Sequence, residues 1–291
     1  MITTKTIPQI KSELKKYEGK RIAKRIAKKI AFVPTMGALH DGHLALVKKA
    51  REFADIVVVS IFVNKAQFND LNDYKNYPRQ DLEDLQKLEK CGVDLVFLPD
   101  EKEMLGDDFT KDSGLKITPS KLTNCLCGSA RPGHFDGVAL IVSKLFDIVK
   151  PDIAVFGQKD FQQLAIVKEL VKNLNLNIEI FAHETFREKS GLAMSSRNQR
   201  LSEDNKIKAA EIFRILLEIK NEVVKNSESV EEILEKKSQE LLEIGFEKID
   251  YLEIRTEDGL ELVTKFDTKK SSRIFIAVYL GGVRLIDNLE L

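Results

Sequence analysis

The segment PTMGALHDGH, from Pro34 to His43, places two glycines and two histidines within ten residues. Glycine lets backbone come close to a ligand, and the first turn of a helix offers unpaired N–H groups and a positive dipole end to an anion. At such a turn His40 and His43, three residues apart, point the same way and can donate protons to one group. A phosphate suits the segment. A pair of surface histidines and half of a zinc site are the competing readings. They lose ground because the chain has only four histidines, two of which enclose Gly42. No obvious third and fourth Cys or His ligand accompanies them.

Two later segments also suit anions. In FGQKDFQQL, Phe156 to Leu164, Lys159 is a compact cation for phosphate or carboxylate, and Asp160 can hold a ribose hydroxyl or orient the lysine. Gln163 offers an amide that both donates and accepts. An exposed turn is the alternative. In GLAMSSRN, residues 191 to 198, Ser195 and Ser196 supply hydroxyls and Arg197 a planar fork of donors fit for a polyphosphate. A Ser-rich helix cap competes with that reading.

These segments act together only if a fold brings them to one edge. The first half alternates apolar, β-branched runs with helix-like stretches, the pattern of a parallel sheet with helices on both faces. Strands are expected at Ile30 to Met36, Ile56 to Asn64, 93 to 100, near 151 to 160 and near 178 to 185. Helices are expected from His43 to Phe53 and from Pro78 to Cys91. In such sheets the strand-to-helix turns line the ligand crevice, where Pro34 to His43 and Phe156 to Leu164 would both lie. Beyond about residue 186 long charged amphipathic helices take over, Asn205 to Asn226 and Val230 to Ile244. Alternating strands follow near Tyr251 and at RIFIAVYL. The fold class is therefore α/β, Rossmann-like, with a smaller α+β domain after it. The division falls at 1–185 and 186–291, with a hinge near Thr185.

Composition narrows the function classes. At 291 residues two packed units are expected, and 46 basic against 46 acidic residues steer the chain toward neither nucleic acid nor anionic lipid. No apolar run approaches the roughly 20 residues that span a bilayer, and MITTKTIPQIKSELKKYEGK lacks the apolar centre of a signal peptide. The cytoplasm is the expected compartment. Cys91, Cys125 and Cys127 are read as free thiols, with a reactive Cys127 as the alternative. The basic stretch KRIAKRIAKKIA, residues 20 to 31, is either a surface-binding helix or a solvated strap, and no function is assigned to it.

Taken together, PTMGALHDGH, VSIFVN with QF, YPR, RPGHFDGV, KLFDIVKPD, FGQKDFQQL, RE with GLAMSSRN, and GGVRLIDN closely resemble the pantothenate synthetases, a family of H-x-G-H nucleotidyltransferases. The resemblance runs nearly end to end. It implies ATP-dependent condensation of (R)-pantoate with β-alanine through a pantoyl-adenylate, with magnesium, in a cytoplasmic homodimer. It implies that Met36, Gly37, Ala38, Leu39, His40, Asp41, Gly42 and His43 hold ATP, with His43 as proton donor and His40 beside it on the phosphates. Gly157, Gln158, Lys159, Asp160, Phe186, Met194, Ser195, Ser196 and Arg197 match positions around the nucleotide. Lys159, Ser195, Ser196 and Arg197 join the histidines as catalytic donors. Gln67 and Gln163 match pantoate positions, Asn64 and Arg131 lie near the substrates, and Asp84 matches a position associated with magnesium. Residues 1–185 would then bind nucleotide and pantoate, and residues 186–291 would act as a lid.

Two residues depart from the family pattern. Lys65 stands where proline is usual, which would loosen the turn presenting Gln67. Ser190 stands where aspartate is usual, which removes a carboxylate near the nucleotide. Rival expectations are an adenylyltransferase indifferent to β-alanine, a nucleotide-binding regulatory module, and a zinc hydrolase built on His40 and His43.

Overall fold

The computed structural model describes residues 1–18, 28–106, 121–225 and 229–291. In chain order the elements begin β1 (Ile2–Thr4), α1 (Ile7–Glu18), β2 (Ile30–Thr35), α2 (Asp41–Phe53) and β3 (Ile56–Ile61). Next come α3 (Leu71–Lys75), α4 (Asp81–Lys90), β4 (Leu95–Phe97), α5 (Glu101–Leu105), α6 (Leu126–Ala130) and α7 (His134–Val149). Then follow β5 (Ile153–Gly157), α8 (Phe161–Asn173), β6 (Glu179–His183), α9 (Glu203–Lys225) and α10 (Val230–Ile244). The last three are β7 (Lys248–Thr256), β8 (Ser272–Leu280) and β9 (Val283–Glu290).

Two compact units form. The first comprises Met1–Pro119, Arg131–Gln158 and Gln163–Glu184, and the second Ser120–Ala130, Lys159–Gln162 and Thr185–Leu291. The first unit is built on a six-stranded sheet in the order β1-β4-β3-β2-β5-β6, every described pair parallel. Parallel strands are covered on both faces, which is why IAFVPT and IVVVSI read as almost unbroken apolar runs. Ala31, Val33, Val57, Val59 and Val155 share one core with Val47 and Ala50 of α2 and Leu88 of α4. On β2 the intervening Phe32 meets Phe146 of α7 edge to face at 6.4 Å, and Phe146 meets Phe156 of β5 at 6.5 Å.

From β2 the strand order runs outward in both directions, through β3 and β4 on one side and through β5 and β6 on the other. The switch point of this open sheet therefore lies between β2 and β5, paired Ala31 to Ile153 and Phe32 to Ala154. Ligands bind outside the carboxyl ends of strands at such a point. The turn from Met36 to His40 and the turn that starts at Gly157 both leave the sheet there.

The second unit has an antiparallel sheet in the order β7-β8-β9, whose Ile254, Ile274, Ile276 and Val278 share a core with Ile215, Leu216 and Ile219 of α9. Lys237 of α10, only 6% exposed at its side chain, reaches Glu218 of α9 at 2.5 Å and Glu240 at 2.9 Å. Arg214 holds the same two glutamates at 2.6 and 2.7 Å.

The expected fold class is found, with two strands the reading did not place and with further helices, α1, α7 and α8 among them, that it did not name. Sequence reading had no place for β1, an edge strand of three residues. Nor did it find β9, whose Arg284, Asp287 and Asn288 interrupt an apolar pattern. The helix expected to start at His43 starts at Asp41, and the third expected strand shrinks to Leu95–Phe97. Of the basic stretch, residues 20–27 lie outside the described residues, while Ile30 and Ala31 belong to β2. Among the described residues no helix is long and apolar enough to cross a membrane.

Candidate active site

In the first unit the chain leaves β2 through a turn with Gly37 at φ +78° and Ala38 at φ +49°. A side chain at position 37 would strain that backbone and would also sit 3.0 Å from Ile61 and 3.2 Å from Asp84. Asp84, fully buried on α4, anchors the turn: its Oδ2 accepts the Ala38 N–H at 2.7 Å and its Oδ1 the Leu39 N–H at 2.8 Å. Lys87, one helical turn on, donates to the Leu39 carbonyl at 2.8 Å. Burial pushes the Asp84 carboxyl above the usual range, opposed by the two backbone N–H groups and by Lys87. Both oxygens are thus committed to the protein's own backbone. Among the described residues no cluster of three His, Cys, Asp or Glu is arranged to hold a metal ion.

The turn delivers the chain to α2, with His40 at the N-cap and His43 in the first turn. Their rings lie 4.0 Å apart, and the His40 backbone N–H donates to His43 Nδ1 at 3.3 Å. A backbone amide can only donate, so Nδ1 is the acceptor and the proton of the neutral ring is assigned to Nε2. Met36 precedes the turn and Asp41 and Gly42 open the helix.

The substrate-side candidates gather on a 3-10 turn, Lys65–Gln67, that follows β3. Asn64, 1% exposed, caps it by accepting the Ala66 N–H at 3.1 Å, and its amide donates to Gln67 Oε1 and to the Gly137 carbonyl, both at 2.9 Å. Gln67 Nε2 lies 3.1 Å from Met36 Sδ, which ties the turn to the phosphate-suited segment. Arg131 donates to the Gln67 carbonyl at 3.1 Å. His134 binds that carbonyl through Nδ1 at 2.7 Å, with its Nε2 3.2 Å from the Arg131 guanidinium. A carbonyl only accepts and a guanidinium only donates, so His134 carries its proton on Nδ1. Lys65 is tied down by Glu101 at 3.1 Å, and Tyr74 donates to the same carboxylate at 2.8 Å. Against the opposing effect of burial, Tyr74 and Lys65 hold Glu101 below the usual carboxylate range. A salt bridge thus stands where proline would have stiffened the backbone. Gln163 lies in the first turn of α8, half-buried.

Gly157 ends β5 and Gln158 opens the 3-10 turn Gln158–Asp160. In the second unit, Lys159 is mostly buried at 18% side-chain exposure, with Nζ 3.7 Å from Asp160. Its carbonyl accepts from Asn288 Nδ2 at 2.8 Å. Phe186, exposed, and Met194 are joined by a backbone hydrogen bond, Met194 N–H to Phe186 carbonyl, at 3.0 Å. Arg187 pairs with Ala193 inside that hairpin. Ser195 caps the following 3-10 turn by accepting the Arg197 N–H at 3.3 Å, and Ser196 is buried. Ser190, the second departure, accepts the Leu192 N–H at 3.5 Å.

Sequence reasoning missed His134, Gly137, Asp287 and Asn288 as supports of these segments. All four lie in the quoted stretches RPGHFDGV and GGVRLIDN, so their presence in long matching runs was the available signal. Cys127 is buried beside Tyr251, Sγ to Oη 3.1 Å, with Arg284 Nη1 at 3.4 Å. Cys91, Cys125 and Cys127 are all free thiols.

Comparison with known proteins gives a consistent picture. The family model described as pantoate-beta-alanine ligase matches residues 3–290. Pantothenate synthetase of Marinomonas sp. (strain MWYL1) is 44% identical over 290 residues, 100% of this chain and 99% of that protein. Its counterpart in Caldicellulosiruptor saccharolyticus is 46% identical, covering 99% of each. The crystal structure of pantothenate synthetase from Thermus thermophilus superposes with a TM-score of 0.87 at 38% identity, covering 100% of this chain and 99% of that one. That of the Francisella tularensis pantoate-beta-alanine ligase, complexed with β-γ ATP and β-alanine, gives 0.79 at 38% identity, with 100% and 97% covered.

Proposed function

The chain belongs to the pantoate–β-alanine ligase family and joins pantoate to β-alanine at the expense of ATP; we propose that it does so through a pantoyl-adenylate formed at the β2–α2 turn. The pantoate carboxylate attacks the α-phosphorus of ATP and pyrophosphate departs with the bonding electrons of the cleaved P–O bond. The amine of β-alanine then attacks the acyl carbon, AMP leaves, and the amine gives up a proton.

The observation that carries the assignment of roles is the hydrogen bond from His40 N–H to His43 Nδ1. It commits the His43 proton to Nε2, the nitrogen on the far side of the ring, where it can be donated to a phosphate oxygen gaining charge. His40 stands beside it as a second donor. A donor preplaced where charge develops stabilises the transition state more than the ground state. Met36, Gly37, Ala38, Leu39, Asp41 and Gly42 are proposed to shape the nucleotide's bed, which Asp84 keeps open from beneath. Lys159, Ser195, Ser196 and Arg197 are proposed as further polyphosphate donors, with Gly157, Gln158, Asp160, Phe186 and Met194 completing the contacts to ATP. Gln67 and Gln163 are proposed to hold pantoate. In that scheme Asn64 orients the Gln67 amide, and Arg131 fixes its backbone.

Asp84 does not fit a magnesium ligand, because it has no exposure and both its oxygens take backbone N–H groups. We therefore propose that magnesium arrives as the counter-ion of ATP. A cytoplasmic homodimer completes the proposal on the strength of the family resemblance, and light scattering on the purified protein tests the dimer.

The test of the mechanism is pyrophosphate release with ATP and magnesium, omitting pantoate and β-alanine in turn. Pyrophosphate that requires pantoate, and AMP and pantothenate that require both, are expected. His43→Ala should lower pantoate-dependent exchange of pyrophosphate into ATP by about a hundredfold or more, the usual cost of losing one such donor. Normal exchange in that variant would remove His43 from the role.

A further inference from the structure

The last strand, β9, carries two consecutive buried polar residues, Asp287 and Asn288, 4% and 3% exposed. A buried polar side chain costs stability unless each of its atoms is satisfied, so what these two bind is informative. Asn288 donates through Nδ2 to the Lys159 carbonyl at 2.8 Å and accepts through Oδ1 from Arg273 Nη1 at 2.8 Å. Arg273 in turn lies over the ring of Phe161, 4.3 Å from its centroid, two residues after Lys159. Asp287 takes Arg187 in a two-pronged ion pair at 2.6 and 3.0 Å. The same guanidinium lies 3.8 Å from the Phe213 ring centroid and donates to the Gly191 carbonyl at 3.1 Å, which closes the hairpin leading into Met194 to Arg197. Each of the two neighbours thus holds one of the two anion-suited segments of the second unit, and both belong to that unit.

We propose that Asp287 and Asn288 are positioning residues for adenylation, one strand setting Lys159 through its carbonyl and the Ser195 to Arg197 turn through Arg187. The proposal rests on the assignment of Lys159 and Arg197 as phosphate donors. Neither Asp287 nor Asn288 need touch a substrate. Their effect should therefore pass through those donors and fall on turnover rather than on pantoate binding.

Asn288→Asp separates positioning from folding, because the carboxylate keeps an acceptor for Arg273 while losing the donor to Lys159. Pantoate-dependent exchange of pyrophosphate into ATP is measured for the wild type, Asn288→Asp, Lys159→Ala and the double variant. A misplacement near 1 Å can cost about a hundredfold, so Asn288→Asp should lose at least about tenfold in kcat with KM for pantoate within about twofold. Added to Lys159→Ala it should cost almost nothing further, since the group it positions is gone. Equal losses from Asn288→Asp in both backgrounds, or wild-type turnover, overturn the proposal while leaving Lys159 in its role. Wild-type turnover of Lys159→Ala overturns the donor assignment and the proposal with it. Should Asn288→Asp fail to fold, Asn288→Ser serves in the same cycle. Asp287→Asn combined with Arg197→Ala tests the other arm by the same criterion of non-additive loss.

Discussion

Gly137→Ala sets two well-calibrated effects against each other. Gly137 lies in α7, and in a helix interior alanine is more favourable than glycine by about 1 kcal/mol, so propensity alone forecasts a more stable protein. The structure forecasts the opposite. A methyl at position 137 would sit 2.4 Å from both the carbonyl carbon and the oxygen of Ala66 and 2.7 Å from the Gln67 nitrogen, where ordinary contact begins at 3.4 Å. The obstacle is backbone on both sides, so no side chain can swing away. Opening the gap by about 1 Å should cost about 3 kcal/mol, the upper end for overpacking, and leave a net loss of about 2 kcal/mol after the propensity gain. The same displacement stretches the 2.9 Å bond from Asn64 to the Gly137 carbonyl and shifts the turn that carries Gln67. Urea unfolding should show the lost stability, and steady-state kinetics should show a raised KM for pantoate with KM for ATP little changed. A variant as stable as the wild type, with normal pantoate kinetics, would refute the close-approach reasoning and leave helix propensity as the ruling effect.

Replacing Asp84 with Asn keeps the shape but turns one acceptor into a donor facing a backbone N–H, which should cost about 1–3 kcal/mol in urea unfolding. The magnesium dependence of activity should stay unchanged in that variant, and a shifted magnesium requirement would restore Asp84 as a ligand. In the second unit, Lys237 holds Glu218 below the ordinary carboxylate range, and Arg214 followed by Lys237 does the same for Glu240. A carboxylate whose folded pKa is depressed contributes stability above its unfolded pKa, and that contribution disappears as pH falls through the folded value. Melting temperature should therefore drop as pH falls from about 5 toward 3, near and below the unfolded glutamate pKa. Lys237→Met should flatten that drop, and an unchanged profile would show that the cluster has no part in it.

Strands buried on both faces were legible because they leave no polar alternation to confuse, as β2, β3 and β5 show. The strand β9 was not, because VRLIDN mixes apolar and charged residues in a way that reads as a loop until partners such as Arg187, 100 residues before Asp287, are known. The histidine pair at the helix start was legible from its spacing taken together with Gly42 and the scarcity of histidines in the chain. Asp84 was legible in hindsight: it shares a helix face with Leu88 four residues on, and those two are the buried residues of α4. An acid on an apolar face announces an anchoring task. His134 gave no such local sign, since its tautomer and its hold on Gln67 depend on a contact 67 residues away. The deviation at Lys65 was visible, but its compensation by Glu101, 36 residues later, was not.

The bond from Asn288 to the Lys159 carbonyl spans 129 residues of chain. During synthesis at about 5–20 residues per second, roughly 6 to 26 s separate the emergence of these two partners. For that interval the nascent polypeptide carries its phosphate-suited lysine without the clasp that sets it. On the proposed role of Asn288, Lys159 is therefore set only once residue 288 has been made, and a product that stops a few codons ahead of Asp287 would lack both the Lys159 clasp and the Arg187 ion pair.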